Sequence, residues 1–446
     1  MSIENGQCLH IVLFGTFGEN KYFLGSYKES FDIIGFNANI IAHAPEGMAA
    51  FISQLSKKSY FIDPQTHAFQ QPTRTIMRKS KDDKLVVKKS ISSLANKYGS
   101  AIEKNVGKNQ IFAGSLIEDE IEEICKNTLL FEINKIQNSV ENLEEWEFLK
   151  DTGIELRPEF LVAPYFYLEP DNLDMDLEDN MKFLNKAKSI VSSSDFPCKR
   201  DIFAELIIHK EVLFDSKKIS AVIDKYKTCI PDGFLIWIDD FSEVSVSEDA
   251  LKKYKNFLIA LGQYNKPIIV MHGSYFSIVL AGKNLGHIAG VGHGIEYGEH
   301  RDVIPVGGGV PRAKFYFPKF HKRISYHPDT QDVLLEKKWI KDKKTYLNHV
   351  CKCSICQETI SSDVVSGIQE YGKTKIGKDG KAYPTAKAMD KSRRHYLNNK
   401  IEEYHRCSIL PISKIINELK ASQKIANEIK SHTFNHLRKW ANVLES

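Results

Sequence analysis

The stretch Phe203-Ala-Glu-Leu-Ile-Ile-His209 is an almost uninterrupted apolar run with the length of a buried β-strand. It is followed by Ser216–Tyr226, which has helical apolar spacing, and then by a second apolar run, Gly233-Phe-Leu-Ile-Trp-Ile238. A strand, a helix and another strand in this order are typical of a parallel sheet with crossover helices. The stretch therefore predicts an α/β fold.

The same alternation extends on both sides of this stretch. Further strands are predicted at Phe160–Phe166, Pro267–Met271 and His287–Val291, and further helices at Met181–Val191, Asp249–Leu261 and Ser274–Ala281. This many strand–helix units favours a (β/α)₈ barrel of the TIM type. A doubly wound open sheet is the competing architecture, but no Gly-x-Gly-x-x-Gly turn follows a first strand.

Residues 1–70 have the same character and are interpreted as the first part of the barrel. Strands are predicted at His10–Phe14, Asp32–Gly35, Ile40–Ala42 and Tyr60–Ile62, and a helix at Glu46–Ser56. Residues 71–151 are interpreted as a helical basic insertion, either a solvated cover or a substrate-gripping surface. Residues 152–330 are predicted to complete the barrel, and residues 331–446 to form a helical C-terminal subdomain. The basic residues of the insertion include Arg74, Arg78, Lys79, Lys81, Lys84, Lys88 and Lys89.

Composition limits the classes to which the chain can belong. Of its 446 residues, 42% are hydrophobic and 26% are charged, which indicates a folded globular protein rather than a disordered one. The net charge is only +4, so a nucleic-acid surface would have to be a local patch. No apolar run has the roughly 18 residues of a membrane span. The first residues contain Glu4 and no basic residue, unlike a secretory signal, so a cytoplasmic location is expected.

Three of the eight cysteines lie within six residues, in Cys351-Lys-Cys353-Ser-Ile-Cys356. Disulfides are disfavoured in a reducing compartment, and three unrelated thiols are improbable at this density. Neighbouring thiolates are typical zinc ligands, and a structural zinc site needs a fourth nitrogen or sulfur. Among the downstream candidates His395 is favoured, because it begins a predicted helix. The other candidates are His405, Cys407, His432 and His436.

Carboxylates follow three of the predicted strands. In a barrel, catalytic groups lie at the C-terminal ends of the strands. Each carboxylate could instead cap a helix or stabilise a turn. Paired carboxylates suit chemistry at a glycosidic carbon, where one attacks the sugar and the other carries protons. The residues concerned are Asp63, Asp239, Asp240, Glu299 and Asp302.

Three features in chain order resemble the tRNA-guanine transglycosylase family. They are the Asp63-x₅-Phe-Gln segment, the loop His293-Gly-Ile-Glu-Tyr-Gly-Glu299, and the cysteine cluster followed by His395. The chain is most similar to the DNA-directed relatives, and the resemblance covers most of it outside the insertion. It implies a TIM-type barrel that exchanges guanine in DNA for a 7-deazaguanine, such as 7-cyano-7-deazaguanine, through a covalent carboxylate–sugar intermediate.

Position by position, the resemblance implies catalytic roles for Asp63, Asp240 and Glu299. Asp63 stands where the family has a base-exchange aspartate, although Pro64–Ala68 replaces the family's glycine turn. Glu299 stands in the place of the nucleophilic aspartate, so Asp240, Glu299 and Asp302 all stay candidates for that role. The implied substrate-binding residues are Asp239, His293 and Asp302. The implied ligands of a structural Zn²⁺ are Cys351, Cys353, Cys356 and His395.

DNA is the expected macromolecular partner. The loops at Asp63 and His293 differ from those of the tRNA enzymes, and no C-terminal RNA-binding barrel follows the zinc region. The basic segments Arg74–Lys89 and Lys373–Lys391 could bind phosphates. Tyr165, Phe166 and Tyr167 could stack on an extruded base, or they could pack the barrel core.

Other readings of the function stay open. They are the same chemistry on tRNA, a non-catalytic nucleic-acid-binding relative, and a plain glycosidase that releases guanine. A homodimer and helper proteins of a DNA-modification system are also compatible with the resemblance.

Overall fold

A computed structural model describes residues 8–55, 58–70, 76–80, 82–106, 114–141, 156–283, 285–295, 299–303 and 312–446. Its centre is an eight-stranded parallel sheet that curves into a nearly closed barrel. The barrel strands are β1 Leu9–Phe14, β2 Ile33–Asn37, β3 Ser59–Asp63, β4 Leu161–Val162, β5 Ile202–His209, β6 Gly233–Asp239, β7 Ile268–Val270 and β8 Ile288–Gly294.

The order of strands around the sheet is β3-β2-β1-β8-β7-β6-β5-β4, and every neighbouring pair is parallel. The ladder is interrupted between β3 and β4. There, one backbone hydrogen bond of 2.8 Å joins the Glu159 amide to the Tyr60 carbonyl. The predicted parallel sheet is therefore confirmed, and its form is a nearly closed barrel rather than an open sheet.

Side chains alternate along each strand between the lumen and the outer face. In the lumen, the Phe160 and Phe203 rings stack with centroids 3.9 Å apart. Gly233 lies opposite because a Cβ atom there would come within 2.3 Å of the Phe203 ring. The lumen is thus a packed core, and polar groups collect at its mouth. Its buried apolar side chains include Ile11, Ile33, Phe61, Val162, Ile207, Leu235, Trp237, Ile269 and Met271.

Helices surround the sheet, and polar side chains define where several of them begin. Asp215 accepts hydrogen bonds from the amides of Lys217 and Lys218, and Ser247 accepts one from the Ala250 amide. The helices up to β8 are Asn20–Phe23, Ala38–His43, Pro45–Leu55, His67–Gln70, Lys89–Tyr98, Ser100–Asn105, Glu118–Val140, Leu173–Ser192, Lys210–Phe214, Ser216–Tyr226, Glu248–Gly262 and Tyr275–Gly282. The later helices are Gln331–Glu336, Lys343–His349, Ser354–Thr359, Val364–Gln369, Ala386–Ile409, Ile412–Ala426 and His436–Glu445.

One predicted strand is wrong, and another is shorter in the structure than predicted. Ile40–Ala42 lies in the helix Ala38–His43, because a short apolar run does not distinguish a strand from a buried helical turn. The strand predicted at Phe160–Phe166 is confined to Leu161–Val162. Pro164 has no amide hydrogen to donate to the ladder, and the chain beyond it follows an irregular path.

The segment between β3 and β4 contains an antiparallel hairpin of Met77–Lys79 with Leu85–Val87, followed by helices. Arg74 and Lys81 of the predicted basic stretch lie outside the described residues. The helix Glu118–Val140 packs between the outer helices Pro45–Leu55 and Leu173–Ser192. Part of the predicted insertion therefore belongs to the layer of helices that covers the barrel.

The chain after β8 packs on the outside of the barrel. A hairpin of Lys314–Phe317 with Lys322–Ser325 follows β8, in a segment rich in aromatic and basic residues. The Lys- and Gly-rich segment Tyr371–Lys387 has the composition of an exposed loop, but it contains a hairpin of Thr374–Ile376 with Ala382–Pro384. A turn signal, Lys378-Asp-Gly380, lies between its two strands.

Among the described residues, we find no helix with both the length and the apolar character that a bilayer crossing requires.

Candidate functional site

Asp63 ends β3 at the mouth of the barrel and is 4% exposed. Its Oδ1 accepts hydrogen bonds from the Tyr165 hydroxyl at 2.7 Å and from the Gln65 amide at 2.8 Å. The Tyr165 hydroxyl also lies 3.0 Å from Nδ1 of His67. Since the single phenolic proton points to Asp63, Nδ1 of His67 is the donor to the phenolic oxygen. Asp63 is thus the end of a hydrogen-bonded chain of three side chains.

Glu205 supplies a second carboxyl group beside Asp63. It lies on β5 and is completely buried, and among the described residues neither of its carboxyl oxygens has a hydrogen-bond partner. Burial, reinforced by the charge of Asp63, raises the pKa of Glu205 well above its ordinary range. Burial also raises the pKa of Asp63 to about 6, against the opposing effect of the Tyr165 hydroxyl. Near neutral pH the pair therefore holds a proton on Glu205, and Asp63 can exchange one.

Asp239 ends β6 and forms a second phenol–carboxylate pair. Its Oδ2 accepts a 2.7 Å hydrogen bond from the Tyr167 hydroxyl, and its Oδ1 accepts one of 2.7 Å from the Val303 amide. Tyr165 and Tyr167 belong to the lumen cluster, whereas Phe166 between them packs outward against Phe183. Of the two alternatives for Phe166, the structure therefore has core packing rather than a position for stacking on a base. The two tyrosines orient the two aspartates.

A cavity of about 20 Å³ opens beside Asp63. The Arg301 guanidinium lies over the Trp237 ring, 5.6 Å from its centroid, and the Trp237 indole donates a 2.9 Å hydrogen bond to the Arg301 carbonyl. This volume matches one water-sized group. The cavity is lined by Gly15, Asn37, Asp63, Trp237, His272 and Arg301, among others.

Asp63→Asn is expected to change how stability depends on pH. The folded state holds a proton on Asp63 up to about pH 6, whereas the ordinary pKa is 3.8. The stabilisation that the wild type gains by holding this proton is fully present below about pH 4 and is lost as the pH rises to about 6. The unfolding free energy of Asp63→Asn should therefore rise relative to that of the wild type across this window, as measured by urea denaturation.

Asp240→Asn is the control for this measurement, because its side chain is 58% exposed. Its unfolding free energy should follow that of the wild type at every pH. A constant difference between Asp63→Asn and the wild type from pH 4 to 7 would contradict the raised pKa.

Two other predicted carboxylates have partners other than Asp63. Asp240 has a positive φ of 51° and its side chain turns outward to an ion pair with Lys210. Asp302 lies in the mouth loop 299–303, where its Oδ1 is 3.1 Å from Nε2 of His300. The predicted catalytic role of Asp240 stays a prediction, and its position does not support it.

Glu299 is held by an ion pair with Lys400, whose side chain is completely buried. Lys400 also lies 2.7 Å from Glu403, and burial would raise the pKa of Glu403, but Lys400 and His321 lower it to about 2. His321 lies 2.5 Å from the same carboxylate. Glu299 thus anchors the mouth loop to the helix Ala386–Ile409, and this engaged carboxylate is poorly placed to attack a sugar.

His293 lies on the outer face of β8, because it shares the register position of the outward-facing Val12. Its Nε2 is 2.9 Å from Nε2 of His10, and its Nδ1 is 3.3 Å from the Tyr396 hydroxyl. Burial lowers the pKa of His293 well below its ordinary range, so the ring is neutral. Its predicted role in substrate binding stays a prediction without support from this position.

The cysteine cluster and His395 come together as predicted. One potential ligand atom from each of Cys351, Cys353, Cys356 and His395 lies within 4.8 Å of all the others. Nδ1 of His395 is 3.3 Å from Cys353 Sγ and 3.4 Å from Cys356 Sγ. Ligand atoms of a tetrahedral zinc ion are about 3.5–3.8 Å apart, so the four residues could hold a metal ion.

Surrounding groups orient these four side chains. Nε2 of His395 is 2.7 Å from the Tyr316 carbonyl, so in the neutral ring the proton is on Nε2 and the lone pair of Nδ1 is directed at the thiols. Cys356 Sγ lies 3.4 Å from the Tyr346 hydroxyl and 3.3 Å from the Tyr371 hydroxyl. A hydrogen-bonded histidine tautomer and donors to sulfur are the outer contacts that thiolate–metal sites commonly have.

Sequence reasoning did not select Glu205, Arg301 or Lys400. Glu205 did carry a signal, since it is the only charged residue between Ile202 and Ile208 of an otherwise apolar strand. A buried charge in such a run is more informative than an exposed one. Arg301 and Lys400 lie in polar segments that offer no comparable signal.

Comparison with models of known protein families gives no match to this sequence, and comparison with curated proteins gives none either.

Proposed function

We propose that this protein is a DNA-guanine transglycosylase that replaces guanine in DNA with a 7-deazaguanine. The observation that carries the proposal is the buried Asp63 carboxyl group, hydrogen-bonded to Tyr165 at the mouth of a parallel barrel, in the same chain as a Cys₃His cluster. The sequence resemblance associates these two features with base exchange. In this proposal the barrel is of the TIM type, residues 71–151 contain an insertion, and residues 331–446 form a zinc-binding subdomain.

The proposed chemistry uses two carboxylates. One attacks C1′ of the target nucleotide, the C1′–N9 bond breaks, and guanine leaves with a proton supplied by the second carboxyl group. The incoming base loses its N9 proton to that second carboxylate and attacks C1′, which releases the first. Asp63 suits the proton-carrying role because its pKa is about 6.

Asp239 is the first candidate for the nucleophile. It is the second carboxylate at the mouth whose orientation is set by a lumen tyrosine, Tyr167. Asp240 and Glu299 are less suitable, because each is engaged in an ion pair away from Asp63. The four cluster residues would hold a structural zinc ion, which with four protein ligands has no position left for a substrate.

The test is mass spectrometry of nucleosides from DNA and tRNA of cells that express the chain and receive a 7-deazaguanine. Asp63→Asn and Asp239→Asn are each expected to lower the amount of the modified nucleoside in DNA by about 10²–10⁴-fold. Asp240→Asn is the matched control and should retain it, because the Asp240 side chain points outward to Lys210.

The outcomes distinguish the alternatives. Modification of tRNA alone would make this a tRNA enzyme with the same chemistry. Modification of neither nucleic acid, together with no covalent protein–DNA adduct, would contradict the proposed function. Loss of activity in Glu299→Gln but not in Asp239→Asn would return the nucleophile to Glu299.

A further inference from the structure

The hairpin Thr374–Ile376 with Ala382–Pro384 projects from the body of the protein. Ile376 is 72% exposed, and its cross-strand partner Ala382 is exposed as well. Cross-strand partners share one face of a two-stranded ribbon, so this face is an apolar pair in solvent. The pair is an apolar contact surface that the fold itself leaves uncovered.

The charge around this apolar pair is strongly positive. Residues 373–391 contain six lysines and two aspartates. One carboxylate, Glu370, lies within 4 Å of Lys373, Lys387 and Lys391. The lysines at 375, 378 and 381 are all exposed. A partner for this ribbon therefore needs closely spaced negative charges beside an apolar surface.

The only aspartate in the hairpin serves its own turn. Asp379 accepts hydrogen bonds from the Lys381 amide at 3.2 Å and from the Tyr383 hydroxyl at 2.5 Å. Gly380 adopts a φ of 74°, the left-handed region that such a turn requires. The carboxylate thus orders the loop that carries Lys378, and the ribbon is preformed for binding.

Contacts place the base of the hairpin on the side of the barrel mouth. The hairpin leads directly into the helix Ala386–Ile409, where Asp390 accepts hydrogen bonds from Lys21 at 2.6 Å and Tyr22 at 3.0 Å. These two residues follow β1 at the C-terminal edge of the sheet. Next to them, Glu19 accepts a 2.9 Å hydrogen bond from Gly15, which lines the mouth cavity.

We propose that this hairpin docks in the major groove of duplex DNA next to the target base. A two-stranded β-ribbon fits that groove, its lysines would contact phosphates on either side, and Ile376 would contact thymine methyl groups. The choice of DNA rests on the proposed function. The hairpin itself is a binding surface distinct from the carboxylates at the mouth.

The test is binding of the full-length protein to a labelled 30-base-pair duplex by fluorescence anisotropy at several salt concentrations. Lys375→Glu/Lys378→Glu is expected to weaken binding about ten-fold or more and to reduce the salt slope by about two. Ile376→Ser is expected to weaken binding several-fold with an unchanged slope, since an apolar contact releases no counterions.

Matched controls come from the opposite edge of the barrel. Lys199→Glu/Lys227→Glu makes the same charge change before β5 and β6, and Ile230→Ser is the corresponding apolar change. Both should bind DNA as the wild type does. Equal weakening by the control lysines, or unchanged binding by the hairpin variants, would overturn the docking surface.

Two further results separate this inference from the proposed function. Asp63→Asn should bind the duplex as the wild type does, because the hairpin is separate from the carboxylates at the mouth. If wild-type protein binds DNA through the hairpin but exchanges no base, only the enzymatic proposal is contradicted. If the hairpin variants lose affinity for a folded tRNA while wild-type protein ignores the duplex, DNA is the wrong partner and the inference fails.

Discussion

Cys356→Ser is expected to abolish binding of one metal ion per chain and to lower the free energy of unfolding by about 5 kcal/mol or more. Cys356 is completely buried and its sulfur contacts Tyr346, Tyr371 and His395. Structural zinc sites contribute their binding free energy to folding, about 10–16 kcal/mol in isolated zinc peptides. Elemental analysis of the purified protein and urea denaturation measure the two effects.

The matched control for this prediction is Cys198→Ser. Cys198 is a half-buried thiol outside the cluster, so the same substitution should leave metal content and stability near those of the wild type. If Cys356→Ser does not yield folded protein, a chelator added to the wild type should lower its melting temperature, and added zinc should restore it. Wild-type protein that purifies without metal and is insensitive to the chelator would contradict a structural metal site.

Lys400→Met is expected to destabilise the protein by about 3–5 kcal/mol, because it leaves two carboxylates without their cation. Lys400 is completely buried, and its ammonium group lies between Glu299 and Glu403. Tyr316 and His321 also bind Glu403, so the network joins the β-hairpin after β8 to the helix that carries His395. Urea denaturation at neutral pH measures the loss.

Lys225→Met tests whether burial of the ion pair causes the destabilisation expected for Lys400→Met. Lys225 lies 2.6 Å from Glu178, but the two side chains are 38% and 52% exposed. Ion pairs of this kind contribute about 0–1 kcal/mol, so this variant should remain close to the wild type. Equal losses in the two variants would contradict the view that the uncompensated buried charge causes the destabilisation.

The same network connects the Cys₃His cluster with the mouth of the barrel. His395 and Lys400 lie on one helix, and Glu299 begins the loop in which Arg301 borders the cavity and Val303 binds Asp239. Lys400→Met should therefore also disturb the mouth. The ion pair with Lys400 supports a role for Glu299 as an anchor of that loop. The resemblance alone had suggested that Glu299 is a nucleophile.

Local patterns in the sequence were sufficient for the main elements. The apolar runs of β5 and β6, with helical spacing between them, predicted the parallel sheet, because strand and helix periodicities are properties of short segments. The spacing of Cys351, Cys353 and Cys356 predicted the cluster for a similar reason, since neighbouring thiols remain close in most folds. Asp63 was selected as a candidate because both the strand and the residue that ends it can be recognised in the sequence.

Only the tertiary structure decided which polar groups share the mouth. Asp239 and Asp240 are adjacent in sequence, yet one faces Tyr167 in the lumen and the other faces Lys210, because consecutive side chains point to opposite sides and Asp240 has a positive φ. Glu205 meets Asp63 from a distant strand.

The ion pair of Glu299 with Lys400 likewise joins residues that are far apart in the chain. Periodicity and spacing are local, so the sequence by itself determined the main elements and the grouping of the three cysteines. The pairing of buried charges depends on strand register and on desolvation. Both exist only once the barrel has formed.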